Sequence, residues 1–314
     1  MASMRDIKRR KGSIQSTQQI TKAMKLVSTV KLQRAKTNAE KSKTYFHGMY
    51  DTVQSILKRT KNLEHRFLKE GTGDKKAVVV ITSNRGLAGG YNSNIVKLIT
   101  QGVLKDDKLA IYAVGKKGRD ALGRSYEIAG DYSDFIDEPV YAEAMKITNQ
   151  LLEDYDGGKI SEIYLAYTGF KNTVSHIPTL LRLLPVVETK NTGKDTEEVP
   201  AKAEKQGIQP GYEDSESLKE ALETEAEDNT LMNFEPAPED ALDMLIPKYI
   251  TSIIYGAMIE AVASENGARM QAMDSATSNA EEMIDKLTLQ YNRARQGSIT
   301  QELTEIIAGA NAIS

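Results

Sequence analysis

The chain has 314 residues and contains neither cysteine nor tryptophan. Without cysteine, disulfide bonds, thiolate metal sites and thiol catalysis are excluded, and cysteine usage says nothing about the redox compartment. Aromatic residues make up only 6% of the chain, although hydrophobic residues reach 40% and charged residues 27%. This composition is that of an ordinary globular protein in its polar and apolar content, but the shortage of aromatics favours long helices over large cores.

Long hydrophobic runs are also missing. The longest aliphatic run extends from Ala77 to Ile81, far short of the roughly 20 residues that a membrane-spanning helix requires. No positively charged start is followed by an apolar segment of roughly 7 to 15 residues, which a secretory signal would need. We therefore expect a chain that is not secreted and that makes no direct insertion into the bilayer.

The two charge signs are distributed unevenly. Residues 1–43 hold twelve Lys and Arg against two acids, whereas residues 188–229 hold thirteen acids against five Lys. The basic start fits a mitochondrial transit peptide or a nucleic-acid arm, but a helix face that meets an acidic protein surface or water is the favoured interpretation. The acidic segment also contains Pro200, Pro210 and several glycines, which predicts a mobile loop.

Helix-breaking residues are scarce near the amino end. Between Arg5 and Arg66 there is no proline, and the only glycines are Gly12 and Gly48. Apolar residues recur there every three or four positions, which predicts one long amphipathic helix over residues 1–66. The predicted apolar stripe comprises Ile20, Ala23, Met24, Val27 and Val30, followed by Phe46, Met49, Val53, Ile56 and Leu57.

A second long helix is predicted over residues 238–314. Pro238 marks its start, and Pro247 is expected to kink it or to open a second stretch. Two long helices with one apolar stripe each are unstable alone, so the sequence predicts that they pair as an antiparallel coiled coil. The stripe comprises Ile250, Ile253, Ala257, Ala261, Ala268, Ala272, Ala280, Ile284, Leu287, Tyr291 and Ala294.

Residues 75–235 have a different pattern, in which short β-branched runs alternate with helical segments. The strands are predicted at Ala77–Thr82, Leu109–Val114 and Ile163–Thr168. Such alternation is typical of a parallel sheet with helices on both faces. The predicted fold class is therefore α/β: a long antiparallel coiled coil of the N- and C-terminal helices, plus a central Rossmann-like parallel-sheet domain that includes the acidic loop at 188–229.

One glycine-rich turn resembles a phosphate-binding loop. Gly86 to Gly90 follows a predicted strand and precedes a helix, but the spacing matches neither G-x-G-x-x-G nor G-x-x-x-x-G-K-[ST]. A tight strand-to-helix turn is therefore the favoured interpretation. The three histidines, His47, His65 and His176, have no metal-ligand spacing. We expect no catalytic, cofactor-binding or metal-binding residues, and hence no cofactor.

The carboxyl end lacks charge. After Glu305 no charged side chain follows, and the final turns are rich in apolar residues, among them Ile306, Ile307 and Ile313. Burying an isoleucine is worth about 1.5 to 3 kcal/mol. The sequence therefore predicts that this apolar tip lies in an apolar sleeve provided by another protein.

Three separate sets of motifs, in order and covering nearly the whole chain, resemble the gamma subunits of F-type ATP synthases. Ile7-Lys8-Arg9-Arg10 and Gln19 to Met24 lie at the start, and Arg85 to Asn92, Phe170 to Thr173 and Leu184-Pro185 lie in the middle. The most specific run, Ala294-Arg295-Gln296 with Ser298 to Ile306, lies near the end. Chloroplast members carry a cysteine pair for redox control, which this chain lacks, so that switch is not expected. The absence of a recognisable transit peptide favours a bacterial origin.

This resemblance implies a non-catalytic central-stalk rotor subunit. Its coiled coil would rotate inside a ring of three alpha and three beta subunits, and so couple proton flow through the membrane sector to ATP synthesis or hydrolysis on beta. Its central domain would meet the epsilon subunit and the c-ring. The implied location is peripheral, on the cytoplasmic face of a bacterial cell membrane. The implied beta-subunit contacts are Met24, Arg269, Arg295, Gln296, Thr300 and Glu302.

Two alternatives remain open at this point. A nucleotide-binding α/β enzyme would use the Gly86 turn, and a coiled-coil protein that binds nucleic acid would use the basic start. The acidic segment after Pro185 is longer than is usual for the family, so contacts with the c-ring are not assigned to residues.

Overall fold

A computed structural model describes residues 4–59, 65–173, 175–186 and 238–311. The predicted acidic loop at 188–229 therefore lies outside the described residues. The chain divides into two compact units. Unit 1 comprises Met1–Val30 and Arg269–Ser314, and unit 2 comprises Lys31–Ala268. The two longest helices, α1 (Met4–Arg59) and α5 (Pro238–Asn311), each contribute to both units.

Unit 2 contains a five-stranded sheet in the order β3-β2-β1-β4-β5. Strands β1 to β4 run parallel, whereas β5 pairs antiparallel with β4 at one edge. The fold class predicted from the sequence is confirmed, but β3 and β5 had not been predicted. The strands are β1 (Lys75–Ile81), β2 (Leu109–Val114), β3 (Glu127–Asp131), β4 (Ile160–Phe170) and β5 (His176–Leu184).

The remaining helices connect these strands, as expected for parallel pairing. They are α2 (Tyr91–Thr100), α3 (Lys116–Leu122) and α4 (Tyr141–Asp156). Two short 3₁₀ turns span Arg66–Leu68 and Ser133–Phe135. Helix α1 ends at Arg59, and Arg66 belongs to a 3₁₀ turn, because His65 is extended and its side chain accepts a hydrogen bond from the Phe67 N–H.

The sheet separates two apolar clusters. Helix α4 and the first part of α5 pack in the larger cluster, with Ile147, Leu151, Ile250 and Ile254 fully buried. Helix α2 packs in the smaller one, where Ile95 and Ile99 meet alternate residues of β1 and β2. Because successive strand residues point to opposite faces, the uniformly apolar β1 and β2 supply both clusters.

Pro247 lies inside α5, which continues through it as one helix of 74 residues. The structure therefore shows no second helix opening at this proline. Burial of Leu242, Ile246 and Ile250 on either side of Pro247 explains the continuity, since tertiary packing offsets the hydrogen bond that proline cannot donate.

Within unit 1, α1 and α5 run antiparallel. Three cross-helix contacts, in which the numbers rise on one helix and fall on the other, establish the direction: Gln18 Nε2 to Glu281 Oε1 at 2.9 Å, Thr21 Oγ1 to Thr277 Oγ1 at 2.8 Å, and Lys25 Nζ to Asp274 Oδ1 at 2.6 Å. The pairing agrees with the predicted antiparallel coiled coil, and the sum of partner numbers, close to 299, defines its register.

By length and composition, residues Glu239–Ala308 within α5 pass a test for a membrane-crossing helix. Half of the most apolar window is buried inside the protein. Core helices of soluble proteins pass the same test, so this feature is weak support for a membrane span.

Candidate functional site

Four of the predicted contact residues lie on α5 close to its end. Arg295, Gln296, Thr300 and Glu302 are all exposed. The Thr300 hydroxyl donates to the Gln296 carbonyl oxygen at 2.9 Å, which confirms that these two residues share a face. Arg295 forms no ion pair with a described residue, so its guanidinium is available to a carboxylate of another molecule.

The other two predicted contacts, Met24 and Arg269, are half-buried in unit 1. The register places Met24 opposite residues near Asp274. Along α5, Asp274 and Arg295 are separated by about 30 Å at a rise of 1.5 Å per residue. Unit 1 therefore does not gather the six predicted residues into one site, but presents them at two separate levels.

The apolar tip lies beyond the end of the partner helix. Extending the register shows that Ile306 and Ile307 lie past the level of Met4, where the described part of α1 begins. Their exposed fractions are 68% and 60%. Exposure of two large apolar side chains at consecutive positions is consistent with a surface that is covered by another protein. Ile313, the third predicted tip residue, lies outside the described residues.

The structure corrects the predicted stripe on α1. Ile20, Val27 and Val30, which were expected to face α5, are exposed, with 59% of Ile20 accessible. The residues that actually face α5 recur with alternating steps of three and four. This α1 seam comprises Met4, Ile7, Lys11, Ile14, Gln18, Thr21, Lys25 and Ser28.

The reason for the different phase lies in the heptad positions of the seam. Within unit 1, Ile7 is buried and Ile14 is partly buried. Thr21 and Ser28 follow at the same seven-residue spacing and share that face of the helix, so these polar residues remain in the seam. The heptad spacing 7, 14, 21, 28 and 35 was a sequence signal, but a search for apolar residues alone misses it.

This arrangement leaves an apolar surface on α1 that sequence reasoning did not assign to a partner. We call it the outward face of α1; it comprises the exposed residues Ile20, Ala23, Leu26, Val27 and Val30. Exposed lysines, Lys22 and Lys31, flank it. Apolar side chains between cations are suited to an amphipathic surface that carries carboxylates.

The residues that precede the glycine-rich turn, Thr82 to Asn84, occupy the N-terminus of α3. The N–H groups that open α3 donate to the loop after β1: Lys116 to Asn84 Oδ1, Lys117 to the Ser83 carbonyl and Gly118 to Thr82 Oγ1, at 2.9–3.1 Å. A phosphate at this helix start would have to displace those acceptors. Gly115, with φ of 123°, is needed there because a Cβ would lie 2.1 Å from the Thr82 carbonyl oxygen.

Other chemistry is equally unsupported in the part of the chain that the structure describes. No group of three or more His, Asp or Glu side chains is arranged to hold a metal ion among those residues. Asp154 is buried, but it accepts hydrogen bonds from Tyr112, Gln150 and Lys159. The Lys159 and Tyr112 hydrogen bonds outweigh burial and lower the pKa of Asp154, as expected for a structural carboxylate.

Comparison with known proteins gives one consistent result. The family model described as ATP synthase matches residues 3–313. An ATP synthase gamma chain of Lachnoclostridium phytofermentans is 58% identical over the full length of both chains. A gamma chain of Acetobacterium woodii described as sodium ion specific is 38% identical, with 99% of each chain covered.

Solved structures show a similar fold. A chain from the mitochondrial ATP synthase of Euglena gracilis, solved with OSCP, F1 and c-ring, superposes with a TM-score of 0.62 at 19% identity. That match covers 99% of this chain and 94% of the other. A chain from the central stalk and c-ring structure of the Tetrahymena thermophila enzyme gives a TM-score of 0.54 at 22% identity, covering 82% of this chain and 99% of the other.

Proposed function

The chain belongs to the ATP synthase gamma-chain family, and we propose that unit 1 is the part of it that contacts the catalytic beta subunits. The chain is a non-catalytic central-stalk subunit, whose rotation inside the ring of alpha and beta subunits couples ion flow to ATP synthesis or hydrolysis. The N-terminal segment 1–66 and the C-terminal segment 238–314 form the rotating coiled coil, and segment 75–235 forms the central domain.

The exposed polar group on α5 is the observation that carries this proposal. Arg295 supplies a planar cation for a carboxylate of beta, while Gln296, Thr300 and Glu302 add hydrogen-bonding groups on the same exposed stretch. Directed bonds of this kind depend on orientation. They therefore transmit a rotation angle to a catalytic subunit better than apolar contact alone does.

A second contact level lies farther from the C-terminal end of α5, near Met24. Met24 and Arg269 are half-buried there, and the outward face of α1 lies next to Met24 in sequence. The basic residues around that face suit an acidic lever on beta, since opposite charge favours encounter and orientation. Two levels separated by about 30 Å give the shaft two points at which to push on the ring.

The apolar tip has a different role. Ile306 and Ile307 are exposed, and Ile313 follows them in the sequence. An uncharged end inside an apolar sleeve of alpha and beta turns without having to break ion pairs at each step, which would cost several kcal/mol if they were buried. The tip would therefore serve as a bearing.

The remaining partners are the epsilon subunit and the c-ring, which contact the central domain. The complex lies on the cytoplasmic face of the bacterial cell membrane, with this chain bound peripherally. The coupling ion is not assigned, because one relative of 38% identity is described as sodium ion specific.

Replacing Thr300 and Glu302 together by alanine tests the proposal. Both side chains are exposed, so the thermal unfolding of the free chain should change by less than about 0.5 kcal/mol. ATP turnover by the reconstituted complex should fall severalfold, because the contact that aligns beta with the shaft is lost.

The matched control replaces Ser278 and Glu282, a hydroxyl residue and a carboxylate residue that are likewise exposed on the same helix. It should leave both unfolding and turnover unchanged. Equal turnover for the wild type, the test pair and the control pair would rule out the assigned contact.

A further inference from the structure

Within unit 2, the end of the β4–β5 hairpin packs against α5 through polar groups. Phe170 at the end of β4 pairs with His176 at the start of β5. Glu260 and Gly267 contact this hairpin from α5. Ser264 lies between them at steps of four and three residues, which place all three on one side of the helix. None of these groups has a role in the contacts proposed above.

Glu260 is the ionisable group at the centre of this contact. Its Oε2 lies 3.6 Å from the position that a Cβ on Gly169 would occupy, so the carboxyl group fills the space that the missing side chain leaves. It accepts a hydrogen bond from the Phe170 N–H, and it forms no ion pair with a described residue. Burial raises the pKa of the Glu260 carboxyl to about 7, although the Phe170 N–H opposes this shift.

His176 and Ser264 extend the same contact. His176 Nε2 and Ser264 Oγ are buried and have no hydrogen-bond partner among the described residues. A Cβ on Gly267 would lie 2.5 Å from His176 Nε2, and the imidazole also packs against the Phe170 ring, with 6.1 Å between centroids. Burial lowers the pKa of His176, so the imidazole is favoured in its neutral form.

We infer that this contact is a proton-controlled clamp, in which the β4–β5 hairpin is held firmly on α5 while Glu260 is protonated and loosens when Glu260 ionises. The reason is geometric. A neutral carboxyl group fits between Gly169 and α5 with its hydrogen bond to Phe170, whereas a carboxylate there must be hydrated. Hydration requires water to enter between the hairpin and the helix.

Other charged groups on the packed elements do not compensate this ionisation. Besides His176, the titratable side chains closest in sequence on β4, the following turn and α5 are Tyr167, Lys171 and Glu265. Of these only Lys171 is a cation, and it is exposed.

The expected pH dependence has a definite sign. The pKa of Glu260 in the folded chain, about 7, is above its ordinary value of 4.5. The folded contact therefore retains a proton that the opened contact releases, and the clamp weakens as pH rises between these two values. His176 acts in the opposite direction: since its folded pKa is lowered, its contribution to the clamp is lost as pH falls below 6.5.

Hydrogen–deuterium exchange of the purified full chain tests the clamp. After correction for intrinsic exchange, amides at the end of β4 and the start of β5 should open about tenfold more often near pH 8 than near pH 5.5. Glu260→Gln preserves the shape and cannot ionise, so it should remove this increase. Glu138→Gln, an exposed glutamate, is the matched control and should behave as the wild type does.

His176→Gln provides an independent variant. It removes the opposing titration, so the wild-type increase in opening with pH should become steeper. A wild-type profile that is flat from about pH 5.5 to pH 8 would overturn the clamp even if a variant does not fold. An unchanged increase in Glu260→Gln would overturn it as well. Neither result bears on the contacts with beta, because the readout is local to unit 2.

Discussion

At the residue scale, two glycines in the long helices differ in whether a side chain could replace the glycine hydrogen. Gly12 lies in α1 with no atom within 4 Å of an added Cβ, whereas Gly267 in α5 has His176 Nε2 at 2.5 Å from that position. Both are helical residues of the same type, so sequence alone treats them equally. Only the second one is explained by a close approach of another element.

This difference predicts opposite effects of one substitution. Gly12→Ala should raise the free energy of unfolding by about 0.5 to 1 kcal/mol, because alanine is the better helix former. Gly267→Ala should lower it by about 1 to 2 kcal/mol, because the His176 ring must shift against Phe170. Thermal unfolding of both variants measures the effect. Stabilisation by Gly267→Ala would mean that the imidazole moves at no cost.

The candidate contact residues were accessible to sequence reasoning only through motifs. Arg295, Gln296, Thr300 and Glu302 belong to a run that matches a family, and the structure adds that they are exposed. Nothing in their spacing indicates a partner. The pairing of Glu260 with the hairpin could not be predicted, since it joins residues about ninety positions apart in sequence and depends on a missing side chain at Gly169.

At the element scale, the two long helices differ in how well their contact faces could be predicted. On α5 the predicted residues Ala280 and Leu287 are buried, and Ile284 is partly buried. On α1 the prediction was wrong for Ile20, Val27 and Val30, because the seam is polar between residues 18 and 28, whereas the predicted Val53 and Ile56 are buried. Contacts such as Thr21 with Thr277 satisfy these polar groups, and exposed pairs such as Lys25 with Asp274 contribute only a few tenths of a kcal/mol.

The corrected phase of α1 predicts different costs for two isoleucines. Ile7 is buried in the seam and Ile20 is exposed. Ile7→Ala should destabilise unit 1 by about 2 kcal/mol or more, through lost burial and the space left behind, whereas Ile20→Ala should change stability by less than about 0.5 kcal/mol. Chemical denaturation of the free chain distinguishes them. A larger loss for Ile20→Ala would restore the stripe predicted from the sequence.

At the scale of the whole molecule, the apolar tip is the feature that an isolated chain does not explain. Ile306 and Ile307 remain exposed although burial of each would be worth about 1.5 to 3 kcal/mol. In the register of the two helices they lie past the level of Met4, where the described part of α1 begins. A surrounding ring is the partner that would supply the missing burial.

Removing residues 306–314 should therefore affect assembly and not folding. We expect unit 2 to unfold at an unchanged temperature, the free chain to bind less hydrophobic dye, and the complex with alpha and beta to dissociate at a lower temperature. The variant Ile306→Gln with Ile307→Gln keeps the helix length and should show the same trends, because the lost burial is apolar. Unchanged dye binding and dissociation in both variants would show that the tip is no bearing.

The sequence by itself determined the features that depend on neighbouring residues. Local periodicity and composition, which need no knowledge of distant contacts, predict three kinds of feature. These are the strands β1, β2 and β4, the seam of α5 and the absence of cysteine chemistry. The family was identified from its motifs, each of which is contiguous in the sequence.

The tertiary structure decided what depends on distant partners. The phase of α1 is set by its packing against α5 in unit 1, the antiparallel pairing of β5 by its contact with β4 at the edge of the sheet, and the raised pKa of Glu260 by the hairpin that buries it. Each of these three features depends on contacts between residues far apart in sequence. Their free energies are therefore set by packing in the folded molecule and not by any local segment.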